Sequence, residues 1–219
     1  MTSIIDPVIQ LAALGGPVLV ILMIVSVGTL AVILHKTWQY RIAHVGQGAH
    51  IRKALSVWDT GDKAAAREAL TGSKHFLAPI IDLGMRQEGA DNLADRLESE
   101  AEQKILPLEK GFRVLDTVAQ LAPLLGLLGT VLGMIEAFQA LQAAGSQVDP
   151  SVLAGGIWVA LITTAAGLSV AMPTSMALSW FEARIDTERA LADHALKVIG
   201  APSSSAGTVL STSEKGHGA

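Results

Sequence analysis

Two threonines, Thr130 and Thr164, and one carboxylate, Glu136, stand inside runs of residues apolar enough to be buried in lipid. A hydroxyl in such a setting suits a helix that lines something polar, and an intramembrane acid can serve as an ion relay. Each group also has a plainer use. Threonines in membrane helices bond the carbonyl three or four residues back, and spacing alone favours that use here. Glu136 stands about two turns from the outer end of its run, close enough to water for a structural or mouth-lining role rather than an obligatory relay. The remaining titratable inventory excludes other chemistry. The six histidines, His35, His44, His50, His75, His194 and His217, all fall outside the long apolar runs or at their edge, and are expected to be exposed or interfacial. There is no cysteine, and no nucleophile with a base, phosphate-cradling glycine loop or metal-ligand cluster is seen. Neither an enzyme nor a cofactor is expected.

The elements that carry these hydroxyls are membrane helices. Half of the residues are hydrophobic and 16% charged, which points to a small integral membrane protein. A hydrocarbon core about 30 Å thick needs roughly 20 helical residues, and three stretches qualify: Pro7 to Leu34, Thr117 to Ile135 extended past Glu136, and Pro150 to Phe181. The first lacks the basic flank and short apolar core of a secretory signal and is expected to be retained. Of the 16 Lys and Arg, 12 lie between Lys36 and Arg113 and 4 after Phe181. The positive-inside rule therefore places the N-terminus and the 142–150 connection outside, and the 36–113 segment and the C-terminus in the cytoplasm. Trp38, Tyr40, Trp180 and Phe181 mark the interfaces.

The expected architecture is all-α: an outside N-terminus and first membrane helix (1–35), a cytoplasmic helical domain (36–114), a second membrane helix (115–141), an outside loop (142–150), a third membrane helix (151–181), a cytoplasmic helix (182–200) and a disordered tail (201–219). Within 36–114, apolar periodicity and turn residues predict helices near 50–58, 63–70 and 78–87, with a turn from Gly89 to Asn92. A further amphipathic helix from Leu93 is expected to continue into the second span with a kink at Pro107, its Glu98, Glu100, Glu102 and Lys104 forming a solvated face.

The second and third spans are built of small residues. Gly126, Gly129, Thr130 and Gly133 form a strip at helical spacing, and Gly156, Ala160, Thr163, Gly167, Ala171 and Thr174 form another, so backbones can approach closely. Pro123 and Pro173 are expected to bend the helices. Helix rise places Thr130 about 17 Å from an outer end near Leu141 and Thr164 about 20 Å from one near Ser151, one common depth. The 30 uncharged residues from Val152 to Phe181 rise about 45 Å, so this helix must tilt or project beyond the bilayer.

Ala122 to Phe138, APLLGLLGTVLGMIEAF, and Gly155 to Pro173, GGIWVALITTAAGLSVAMP, resemble the two signature membrane helices of the MotA/TolQ/ExbB proton channel family, closest to its ExbB and TolQ branches, and the order of elements is similar too. The resemblance implies a homopentamer in the bacterial inner membrane, with the second and third spans lining a pore. A dimer of a single-span partner, similar to ExbD or TolR, would thread that pore and bring an aspartate. Proton motive force would then become mechanical work on a periplasmic or outer-membrane system, such as TonB-dependent transport through a TonB-like protein or envelope maintenance through a TolA-like one. On this resemblance Thr130 in LLGTVLG and Thr164 in ALITTAAGL match pore-facing threonines beside the partner acid, which reverses the preference from spacing. One departure stands out: where many ExbB and TolQ sequences carry a glutamate, this chain has Val159. Flagellar rotation fits less well, since MotA-type chains usually have four spans. The competing reading is a non-conducting membrane scaffold in which the glycine strips merely pack an oligomer. Membrane lipids are expected partners and nucleic acid is not.

Overall fold

The computed structural model describes residues 2–87, 92–144 and 150–201, with side chains described from residue 16 and excepting residue 144. The expected Gly89–Asn92 turn, most of the 142–150 loop and the tail beyond residue 201 lie outside the described residues. The described elements are all helices: α1 (Thr2–Ile42), α2 (Ala49–Asp59), α3 (Lys63–Thr71), α4 (Ala78–Arg86), α5 (Leu93–Glu109), α6 (Phe112–Ala144) and α7 (Pro150–Gly200). Three stretches, within Gly16–Ile42, Leu93–Ala143 and Pro150–Gly200, are long and apolar enough to cross a membrane. The chain divides into two compact units, Met1–His35 with Gly111–Trp180, and Lys36–Lys110 with Phe181–Ala219.

In the first unit, α1 is interrupted at Gly16, whose φ of 65° and ψ of −166° are open only to glycine. Pro17 explains the position, because a proline drives the preceding residue out of the α region and itself suits the first helical position. The kink at Gly16 thus falls inside the first apolar run and divides α1 in two. Val18 and Leu22 of α1 pack with Ala122 of α6 and Ala171 of α7 in a small apolar cluster. Both α6 and α7 continue as single helices through Pro123 and Pro173.

The second unit wraps short helices around the C-terminal part of α7. Ile51, Ala54, Leu55 and Trp58 of α2, Ala66 and Leu70 of α3, Ile80, Ile81 and Met85 of α4, and Leu97 and Ala101 of α5 form one core with Leu191, Ala192, Ala195 and Ile199 of α7. Local chemistry sets the boundaries. Gly61 takes a φ of 94° to turn the chain, and Asp62 caps α3 by accepting a hydrogen bond from Ala65 N at 3.0 Å.

One expectation fails in this unit. The helix from Leu93 runs through Pro107 and stops at Glu109 instead of entering α6. Gly111, with a φ of 97°, breaks the chain there. Three side chains of α1 take the carbonyls the break releases: Lys36 Nζ donates to Leu108 O at 2.9 Å and Pro107 O at 3.4 Å, Gln39 Nε2 to Pro107 O at 3.3 Å, and Tyr40 Oη to Leu108 O at 3.3 Å. Glu102, on the expected solvated face with its side chain 44% exposed, is also held from α7. Arg189 of α7 grips it through Nη2 at 2.8 Å and Nε at 3.3 Å and reaches Glu109 through Nη1 at 2.7 Å. That fork holds the Glu102 carboxyl below the ordinary carboxylate range, first through the hydrogen bond itself.

Candidate functional site

Glycine and alanine remove the side-chain layer between α6 and α7, so their backbones nearly touch. A Cβ added to Gly167 would stand 2.6 Å from Ala122 O, and one added to Gly126 would stand 3.0 Å from Thr163 O. Further along the same seam, Gly133 faces Ala160 and Gly156, and Gly156 faces Ala137. Residue numbers rise on one helix as they fall on the other, so the pair is antiparallel. Ala160, Thr163, Ala171 and Thr174 are buried along it.

This packing separates the hydroxyls by use. Thr163 is fully buried; its hydroxyl donates to Ala160 O at 2.8 Å, and its side chain occupies the space a Cβ on Gly129 would need, 2.7 Å away. It fills the seam. Because Gly129 meets Thr163, their neighbours Thr130 and Thr164 stand at one level of the pair. Thr130 Oγ1 donates to Leu127 O at 2.7 Å, which is the local bond that spacing favours. Thr164 Oγ1 instead reaches across to Gly126 O at 3.4 Å. That bond is long enough to be exchanged for a better acceptor at little cost. Both threonines are half-buried, whereas Glu136 is exposed further along α6 and Val159 is half-buried on α7. The hydroxyl pair is thus a polar band with no carboxylate of its own at the same level. Around it α6 exposes Leu127, Leu128 and Val131 and α7 exposes Trp158 and Leu161.

Sequence reasoning missed a second polar constellation, and one expectation is corrected by it. His75 is not exposed: its ring is fully buried, with Nε2 3.0 Å from Oε2 of Glu188 on α7. Glu188 Oε1 accepts from Gly46 N at 2.6 Å. His75 Nδ1 accepts from Leu77 N at 3.3 Å, while Nε2 and the nearby Oε2 approach without hydrogen-bond geometry. The only sequence signal was a histidine beside the aromatic Phe76, on which it stacks. Among the described residues, no group of three or more His, Cys, Asp or Glu is placed to hold a metal ion.

Residues 62–193 match the model of the MotA/TolQ/ExbB proton channel family. Biopolymer transport protein exbB1 of Vibrio cholerae is 32% identical over 199 residues, 87% of this chain and 84% of that protein. A Synechocystis protein described as ExbB-like 1 is 32% identical over 166 residues, 72% of this chain but 64% of its own length. The Tol-Pal system protein TolQ of Haemophilus influenzae is 42% identical over 84 residues, 38% of this chain and 36% of that one. With the family model covering more than half of it and the Vibrio relative most of it, the chain belongs to the MotA/TolQ/ExbB proton channel family.

Proposed function

We propose that this chain is the channel-forming subunit of an inner-membrane motor that converts proton motive force into work through a single-span, ExbD/TolR-like partner. The observation that carries the reading is the level shared by Thr130 and Thr164 on the close-packed α6–α7 pair, in a chain of this family. In a homopentamer lined by this pair, five copies of each hydroxyl surround the aspartate of a partner dimer. They stabilise its charged form by hydrogen bonding and hold water for its reprotonation. Thr164 supplies the movable donor, since its long bond to Gly126 O can be given up for a carboxylate. The partner brings the acid that Val159 does not. Exposed apolar side chains on α6, including Leu124, Leu132 and Ile135, suit contacts with neighbouring subunits and lipid, and Glu136 is assigned to the outer mouth.

The double variant Thr130→Ala with Thr164→Ala tests this in complexes reconstituted with the partner. Proton-dependent work should be abolished while native mass spectrometry still records the pentamer. Unchanged activity would remove the two hydroxyls from the pathway. A non-conducting scaffold makes the opposite forecast, because replacing the partner's aspartate with asparagine would then have no effect on activity.

The work is assigned first to TonB-dependent transport, in keeping with relatives described as biopolymer transport proteins. The TolQ relative supports a second reading, envelope maintenance. Crosslinking in cells separates them by recovering either a TonB-like or a TolA-like protein.

A further inference from the structure

Between α3 and α4 lies an open cavity of about 440 Å³ that the channel reading does not use. Its charge is one-sided. Arg67, Lys74 and Arg86 line it against a single carboxylate, Asp82, in a chain whose net charge is −4. Asp82 is spent on Arg86, whose Nε lies 2.8 Å from it. Arg67 Nη2 donates to the Met85 carbonyl, which fixes the guanidinium with donors to spare. Lys74 has no partner among the described residues.

The loop after α3 adds neutral donors. Ser73 Oγ accepts from His75 N at 3.3 Å, leaving its own proton to give. The backbone N–H groups of Lys74 and Phe76 meet no acceptor among the described residues. Donors of three kinds, set against one carboxylate already paired with Arg86, describe a site for an anion rich in oxygens. A phosphate monoester, carrying close to two negative charges at neutral pH, balances the net excess of two cations in the lining. The cavity is larger than phosphate alone requires, and Leu70, Phe76 and Pro79 give it an apolar wall.

We infer that the loop at Ser73–Phe76, with Arg67 and Arg86, binds the phosphate of a small organic monoester. The same loop carries His75, whose contact with Glu188 ties it to α7, so occupancy should also be felt at that helix.

The test uses the full-length chain in phosphatidylcholine nanodiscs, titrated calorimetrically with AMP, adenosine and inorganic phosphate. AMP should bind saturably and more tightly than inorganic phosphate, adenosine should not bind, and AMP should slow hydrogen exchange over residues 73–77. Lys74→Glu and Arg86→Glu, both at exposed positions, should each weaken AMP about tenfold or more, with unchanged melting temperature. Lys53→Glu on α2 should leave binding as it is. Absence of saturable AMP binding, or equal affinity in Lys74→Glu and the unaltered chain, would overturn the site. Inorganic phosphate binding as tightly as AMP would overturn the organic ester.

Discussion

Gly167 shows how single atoms decide the α6–α7 pair. Its added Cβ would meet Ala122 O at 2.6 Å and Gly126 Cα at 3.1 Å, both backbone, so no rotamer change relieves the clash. Gly167→Ala should therefore cost about 1–3 kcal/mol through overpacking. Gly155→Ala, with nothing within 4 Å, should be neutral or slightly stabilising through helix propensity. Thermal denaturation in detergent distinguishes them, and equal melting temperatures would refute the seam as the tight contact. The glycine strips were legible in the sequence because small residues at helical spacing have few other uses in a membrane. His75 and Glu188 were not. One stands in a loop and the other among charged residues of a long helix, and only the tertiary fold brings them to 3.0 Å with both side chains buried. His75→Ala would remove a fully buried ring stacked on Phe76 beside the Glu188 carboxylate. The cavity left behind should cost about 2–4 kcal/mol, read as a lower urea midpoint.

Helix ends in this protein are set both by local caps and by partners distant in sequence. The start of α3 is local: Asp62 accepts from Ala65 N, and an Asp after a glycine turn announces it. The end of α5 is not local. Pro107 is the first conspicuous breaker in the sequence there, yet it costs the helix one backbone bond near its last turn and is carried without ending it. The break falls at Gly111 because Lys36, Gln39 and Tyr40 supply the hydrogen bonds that α5 would otherwise make by continuing. Lys36 is 3% exposed, a buried cation at a helix C-terminus, where its charge also complements the helix dipole. Lys36→Met keeps the aliphatic stem and removes the donor. It should cost about 1–3 kcal/mol, with faster hydrogen exchange over residues 107–112. Unchanged exchange there would mean that water serves these carbonyls equally well.

At the scale of the whole chain, the class of fold was legible because membrane solvation leaves a coarse signature: three long apolar runs, basic residues gathered into two segments, and aromatic residues at their edges. Backbone geometry within a run was less legible, since hydropathy does not register it, and Gly16 kinks α1 inside the first apolar run. The same charge distribution makes a prediction about the molecule in its membrane. The 142–150 connection carries no Lys or Arg, while 12 lie between Lys36 and Arg113, so the end of α7 at Ser151 should face outward and α2 should face the cytoplasm. The chain has no cysteine, so single thiols can be introduced without background. Ser151 and Ser56 are both exposed, which makes Ser151→Cys and Ser56→Cys suitable reporters. In cells with a permeabilised outer membrane, a maleimide that cannot cross the inner membrane should label Ser151→Cys at once and Ser56→Cys only after that membrane is disrupted. The reverse order would invert the chain and place the partner's periplasmic work on the wrong side. Labelling of both variants in intact cells would contradict α6 and α7 as a returning pair of membrane spans.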